Sequence, residues 1–476
     1  MFQPEGKLHI LCISALLLLV ILSSITSSSC LELHKICSFH LQCYQMKVMK
    51  KLLLKNGTVV SSKGKLKADV LVEGGKIVKV SAKISDKDAK IIDCKGKFII
   101  PGVIDAHVHL REPGATHKED FETGSSAALK GGVTTVLDMP NNNPSIDTAE
   151  RLAAKYKLAK GRMKCGHKFF IAATGDNLVE LKKAKDACGV KLFMSKSTGG
   201  LVVGDDADLE KIFAFAKGLP LVVHAEDEAR IEQRKKEFEG DLSPSVHSLI
   251  RDDETVYIAI KKALHLAKKH GTKLHIAHVS TKKEMEALKK FKDKNITAEV
   301  ATHHLFLNKD AYASHGKRSD SVTYYDCNFV KINPPIRSEE DRLAMWSALK
   351  SGLIDIVVTD HAPHTLDEKK KPYLEAPSGV PGLETLLPLM LDAVNHGELS
   401  LERMVEAMCE KPAEIFGLVG KGFVKAGYDA DLVVVDMSKE GVVGSDGYAT
   451  KCGWSPYDGW KLVGWPEKVV CGGKVV

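Results

Sequence analysis

The chain has 476 residues, which at about 150 residues per domain means two or three domains or one large barrel with an accessory domain, and excludes a small disulfide-stapled scaffold. Apolar, charged and aromatic residues make up 44%, 27% and 6%, close to globular averages, which excludes intrinsic disorder and collagen-like repetition. A net charge of +7 spread over this length gives no concentrated basic field and speaks against a nucleic-acid partner, while eleven cysteines without a C-x-x-C pair suit reduced thiols better than a disulfide framework.

Residues 8–22 (LHILCISALLLLVIL) are almost wholly apolar and run into a small-residue stretch, 23–29. This resembles a signal-peptide core, but Glu5 cancels Lys7, no A-x-A site follows, and the run is short for a membrane span. The segment reads as a secretory signal, as a targeting or anchoring extension, or as an artefact of an upstream start codon with the true start at Met46 or Met49. The third reading is preferred, because the sequence from Met49 on opens a normal strand-turn-strand pattern and continues as a cytoplasmic enzyme would. The expected division is an extension over 1–48, a small β domain from 49–100 and 421–476, and a catalytic barrel over 101–420.

From 51 to 100, short β-runs are broken by Asn-Gly, Gly-Gly and Lys-Gly turn signals, as in a small antiparallel sheet. The same texture returns in DADLVVVDM (429–437) and KVVCGGKVV (468–476), so the two chain ends are expected to pair into one β-sandwich domain. Between them eight apolar runs, GVIDAHVHL, GVTTVLDM, KFFIAA, GVKLFM, PLVVHAE, KLHIAHVS, TAEVAT and DIVVTD, alternate with amphipathic helical segments that tend to end in Gly. Eight such units over about 320 residues give the arithmetic of an α/β fold of the (β/α)8 TIM-barrel type.

Barrel enzymes carry their chemistry at the C-terminal ends of the strands, and here those ends are rich in metal ligands. Strand one ends in Asp105-Ala-His107-Val-His109-Leu-Arg111, where period-two alternation puts His107, His109 and Arg111 on one face. Strand four carries Lys191 inside an apolar run, strand five ends in His224, strand six in His278 and strand eight in Asp360. His275 has the opposite parity to His278 and is expected to pack outward. Singly, each of these has an ordinary structural reading: a hydrogen-bonded histidine, or a lysine reaching to the rim. Together, four imidazoles, a lysine and a carboxylate at five strand ends suit two divalent cations such as Zn²⁺ sharing a bridge. Desolvation lowers a buried lysine's pKa, and its neutral amine can then take up CO₂ as a bridging carbamate.

The chain from about 50 to 476 resembles the cyclic amidohydrolases of the amidohydrolase superfamily, and within them the dihydroorotase group. The resemblance is carried by DAHVHLREPG, DMPNNNP, GVKLFM, VVHAE, HIAHVS, EVATHHLFL, KINPPIR, TDHAPHTLDEK and GVPGLET. It implies reversible cyclisation of N-carbamoyl-L-aspartate to L-dihydroorotate in pyrimidine synthesis, on a small-molecule substrate and two metal ions. His107 and His109 would hold one metal and His224 and His278 the other, carboxylated Lys191 would bridge both, and Asp360 would ligate the first metal and shuttle the proton. Arg111, Asn141 and His364 match positions that hold the substrate carboxylate, and Asn333, Ser378 and Gly379 match ring-contacting positions. Two departures stand out: Thr302 precedes His303-His304 where the group has Pro, and Asn142-Asn143-Pro144 follows Asn141 where Thr-x-Pro is usual. The polar segment 195–206 reads as a mobile active-site loop or a long βα connection. Dihydropyrimidinase, hydantoinase and allantoinase share the same metal chemistry, and a non-catalytic scaffold relative is the alternative of a different class. As partners, a homo-oligomer and an association with aspartate carbamoyltransferase are expected.

Overall fold

The computed structural model describes residues 51–196, 201–216, 218–241, 243–314 and 326–476. The apolar run 8–22, the starts at Met46 and Met49, and 197–200 of the loop segment lie outside the described residues. No helix among those described is long and apolar enough to cross a membrane.

Seven short strands open the fold: β1 (Leu52–Lys55), β2 (Thr58–Ser61), β3 (Gly64–Lys67), β4 (Asp69–Glu73), β5 (Lys76–Ser81), β6 (Lys90–Asp93) and β7 (Phe98–Pro101). Gly74 and Gly75 both take positive φ (61° and 79°) in the β4–β5 hairpin, a conformation that glycine adopts without Cβ strain. The sheet is not wholly antiparallel as expected, because β6 and β7 retrace β1 and β2 in the same direction and pair with them in parallel. β17 (Leu432–Val442), β18 (Lys461–Cys471) and β19 (Lys474–Val475) come from the other end of the chain, and β17 pairs antiparallel with β7. The two sheets, β5-β4-β1-β6 and β19-β18-β17-β7-β2-β3, enclose a shared core that includes Leu54, Val70, Ile77, Ile99, Leu432 and Val434.

The barrel strands are β8 (Val103–Val108), β9 (Val133–Asp138), β10 (Gly166–Phe169) with β11 (Ile171–Ala172), β12 (Val190–Phe193), β13 (Leu221–His224), β14 (Leu274–Ile276), β15 (Ile296–Ala301) and β16 (Ile356–Val358). β10 and β11 are one strand interrupted at Phe170. Each of these strands pairs in parallel with its neighbours, and a parallel bridge from Val108 to His361 closes the ring between last strand and first. This is a (β/α)8 barrel beside a β-sandwich.

Alternation divides each barrel strand between two layers. Leu221, Val223, Leu274, Ile276, Val300 and Val357 face the surrounding helices, whereas Val222, Ala301, Ile356 and Val358 fill the interior with Phe170 and Phe416. The helices begin as their sequences dictate. Asp120 caps Phe121–Lys130 through the Glu122 and Thr123 amides, Asp205 caps Asp206–Phe215, and Asp253–His270 stops at Gly271 in the left-handed region.

Candidate metal centre

The pairing of β8 with β9 is irregular between Asp105 and Val108, and His107 there reaches Glu299 inside the barrel, while the chain leaving the strand carries His109 to its mouth. His107 Nδ1 lies 2.5 Å from Glu299 Oε1, and His109 Nδ1 lies 2.7 Å from Asn141 Oδ1. Both acceptors are oxygens, so each imidazole donates from Nδ1 and turns the lone pair of Nε2 inward. The two Nε2 atoms lie 3.4 Å and 3.0 Å from Asp360 Oδ1. Burial holds His109 down to about 4, so it is neutral at neutral pH. Two lone pairs and a carboxylate aimed at one point repel one another, and a cation between them removes the conflict. His107, His109 and Asp360 are all buried, and their donor atoms fit a single metal ion.

Across the mouth, His224 Nε2 lies 2.9 Å from Glu226 Oε2, which leaves the Nδ1 lone pair facing His278 Nε2 at 2.9 Å. Glu226 is oriented by Arg251, and although burial pushes its pKa up, that guanidinium brings it down to about 2. The imidazoles form one continuous row, with ring centres 5.4 Å apart from His109 to His107, 5.4 Å from His107 to His278, and 4.7 Å from His278 to His224. Lys191 Nζ is buried without a hydrogen-bond partner, and desolvation lowers its pKa to about 8. An orphaned amine beside these donors fits a group that is completed by CO₂ and by metal.

His278 does not reach the site by strand parity, since 274, 276 and 278 share the outward register. β14 ends at Ile276, and positive φ at His278 (34°) swings its ring back in. His275 correspondingly faces the interior rather than outward: it is fully buried, its Nε2 lies 3.0 Å from Glu299 Oε2, and its ring packs on Phe416. Glu299 therefore holds His107 on one oxygen and His275 on the other. It was not singled out from sequence, although a lone carboxylate inside the apolar run TAEVAT was the available signal.

Arg111 is buried, with positive φ (61°). Its Nε donates to Pro363 O at 3.1 Å, and its Nη2 lies 3.1 Å from His364 Nε2. Among the described residues no carboxylate lies within ion-pair distance of it. Glu112 is taken by Arg162, and Glu119 by Thr123, Thr450 and His361. Asn141 turns its oxygen to His109. Asn333 accepts from His247 Nε2 at 2.8 Å, and Ser378 O lies 3.1 Å from His364 Nε2. Gly379 takes φ +135°, where an added Cβ would lie 2.5 Å from Ala362 O. Buried Lys331 and Lys369 tie the same segment down. Gly379 N donates to Lys331 O, Lys331 Nζ donates to Tyr373 O and Ala376 O, and Lys369 Nζ donates to Lys331 O, Pro377 O and Gly379 O. In the THHLF departure, His304 Nε2 is bonded to Pro334 O, while both ring nitrogens of buried His303 lack partners.

The sequence profile of the amidohydrolase family matches residues 98–476. The chain is 37% identical over 441 residues to a dihydroorotase of Methanosarcina mazei, covering 89% of this chain and 93% of that one. It is 36% identical to a dihydroorotase of Pyrococcus furiosus (88% and 91% covered) and 35% identical to one of Pediococcus pentosaceus (90% and 99% covered). Among solved structures, L-hydantoinase (dihydropyrimidinase) from Arthrobacter aurescens superposes with TM-score 0.84 at 33% identity, covering 90% of this chain and 96% of that one. Dihydropyrimidinase from Brevibacillus agri gives 0.82 at 27% identity, with 90% and 95% covered.

Proposed function

The chain belongs to the amidohydrolase family and is a metal-dependent cyclic amide hydrolase of the dihydroorotase group, and we propose that it interconverts N-carbamoyl-L-aspartate and L-dihydroorotate through the following assignment of its residues. His107, His109 and Asp360 hold one divalent cation, and His224 and His278 hold a second. Lys191 joins them as a carbamate, formed when its neutral amine adds to CO₂ and releases one proton. Zn²⁺ suits this set of imidazole and carboxylate donors. When bound, the cations supply water with a pKa lowered towards about 7 and polarise the amide carbonyl.

The chain's own residues do the rest. Asp360, poised at the mouth with its carboxyl ionised, takes the proton of the attacking water and delivers it to the ring nitrogen as the amide C–N bond breaks. Ring closure runs the same transfers backwards. Arg111 and His364 hold the ring's carboxylate, with Asn141 at the edge of the same space. Asn333, Ser378 and Gly379 line the ring from a segment that buried lysines keep in place.

The observation that carries this reading is Arg111, a buried guanidinium that has no carboxylate partner among the described residues and lies beside a candidate metal-ligand cluster. A buried guanidinium is costly unless an anion pairs with it, and the substrate supplies one. The likeness to hydantoinase and dihydropyrimidinase structures favours a second reading, in which an uncharged ring is opened, but such a ring leaves Arg111 unpaired. Replacing Arg111 by Met tests the choice: kcat/KM on dihydroorotate should fall by about 10⁴-fold with both metals retained. An unchanged kcat/KM would move the carboxylate elsewhere.

A further inference from the structure

Three side chains that bear N–H groups meet beside the cluster, with few acceptors among them. Lys118 Nζ lies 3.0 Å from His364 Nδ1 and 2.9 Å from Glu368 Oε1. On the other side of the fully buried imidazole, Nε2 lies 3.1 Å from Arg111 Nη2 and 3.1 Å from Ser378 O. An ammonium has no lone pair, so His364 Nδ1 has to accept and the ring proton sits on Nε2. That proton is directed at Ser378 O. Arg111 Nη2, which also only donates, then stands beside an N–H rather than a lone pair. The opposite tautomer would set Nδ1–H against the ammonium, with Glu368 Oε2 at 3.8 Å too far to accept it, and leave Ser378 O without its donor, losing two contacts in place of one. A second proton on the ring is disfavoured by burial and by Arg111. The space in front of Nε2 is kept clear by Gly379, where an added Cβ would come within 3.1 Å of that atom.

We propose that Lys118 is a specificity-determining positioning residue: by occupying the Nδ1 lone pair of His364 it fixes the Nε2–H tautomer, so that the ring proton stays on the side of Ser378 O and neither His364 nor Arg111 offers the substrate's ring substituent a lone pair. This rests on the functional reading above and sharpens it. A carboxylate accepts from Arg111 and needs no lone pair in return, whereas the corresponding carboxamide brings an NH₂ that finds no acceptor at His364 or Arg111. Lys118 thus decides between an acid and its amide without touching either. Glu368 balances its charge, so the ammonium acts chiefly through the ring it faces.

The test compares wild type, Lys118→Met and Lys118→Arg on dihydroorotate and on its carboxamide, with metal content measured in each. For Lys118→Met, KM for dihydroorotate should rise about tenfold or more while kcat changes little, and the preference for acid over amide should shrink by a similar factor, as expected for a lost hydrogen bond that sets a donor pattern. Lys118→Arg, which again only donates, should restore the preference. An acid-to-amide ratio unchanged in Lys118→Met overturns the proposal. The tautomer is read independently from the ¹⁵N shifts of His364, assigned by the signals missing from His364→Gln. Nδ1 should be unprotonated in the wild-type protein, and a protonated Nδ1 there overturns the proposal even if the enzyme is active. Failure of wild type to open dihydroorotate would instead strike the functional reading, leaving the ¹⁵N shifts to judge Lys118.

Discussion

Lys191 is buried and, among the described residues, has nothing to accept its protons, which is an expensive place for an ammonium and a natural one for the proposed carbamate. Lys191→Ala should therefore lose metal and activity together, and short carboxylic acids should restore part of both by standing in for the missing oxygens. Retention of two metals by that variant, or a native mass of wild type lacking the added CO₂, would contradict the bridge. At this scale much was legible in the sequence, since His107, His109 and Asp360 follow from their positions at strand ends. His278 was picked from its strand-end position, but the parity that was used to turn His275 outward failed there, because the His278 ring enters by a left-handed backbone turn that alternation does not foretell. Arg111 and Asp360 also have positive φ (61° and 48°), so among the described residues three of the four non-glycine residues in that region lie in this site. Local strain of this kind is set by the tertiary frame and leaves no periodic trace.

The second barrel strand ends in a buried ion pair that organises two of the site's loops. Asp138 accepts from Leu110 N at 2.8 Å and faces Lys155 Nζ at 2.6 Å, and the same ammonium reaches Met139 O (3.0 Å) and Asn142 Oδ1 (2.8 Å). Lys155 comes from the helix Ala149–Ala159, so one side chain ties that helix to the His109–Arg111 corner and to the loop carrying Asn141. Removing one member leaves a buried charge alone, and Lys155→Met should cost about 3–5 kcal/mol in urea unfolding and weaken metal binding through Asn141 and His109. A stability loss under about 1 kcal/mol, the range of an exposed pair, would show that the pair is not buried in solution. The strands themselves were readable as apolar runs, and helix ends such as that of Asp253–His270 from the Gly that follows. The Lys155 contact was not, because a lysine in AERLAAKYKLA looks like any other on a solvated helix face.

At the scale of the whole molecule, acid should unfold the protein well before its carboxylates are protonated. Burial lowers His247 to about 3, reinforced by Arg251, and His303 to about 4. Both lie below the ordinary 6.5, so as pH falls through that value the unfolded chain binds protons that the folded one does not. Stability present at pH 7 is then lost from about pH 6.5 downward, with a slope from these two groups approaching roughly 3 kcal/mol per pH unit near pH 5. Glu226, depressed to about 2, adds a further loss only below about pH 4.5. Urea midpoints at constant salt should drop steeply between pH 6.5 and 5, and a flat profile there would contradict buried neutral histidines.

The buried Arg111 guanidinium beside the candidate metal cluster, with no carboxylate partner among the described residues, is proposed to select a ring bearing a carboxylate. The measurement that tests it most directly is ring opening of dihydroorotate, dihydrouracil, hydantoin and allantoin, side by side, by the metal-loaded wild-type protein. The predicted result is a kcat/KM for dihydroorotate about 10⁴-fold or more above that for dihydrouracil, the same ring without the carboxylate. Opening of dihydrouracil, hydantoin or allantoin as readily as dihydroorotate would contradict it.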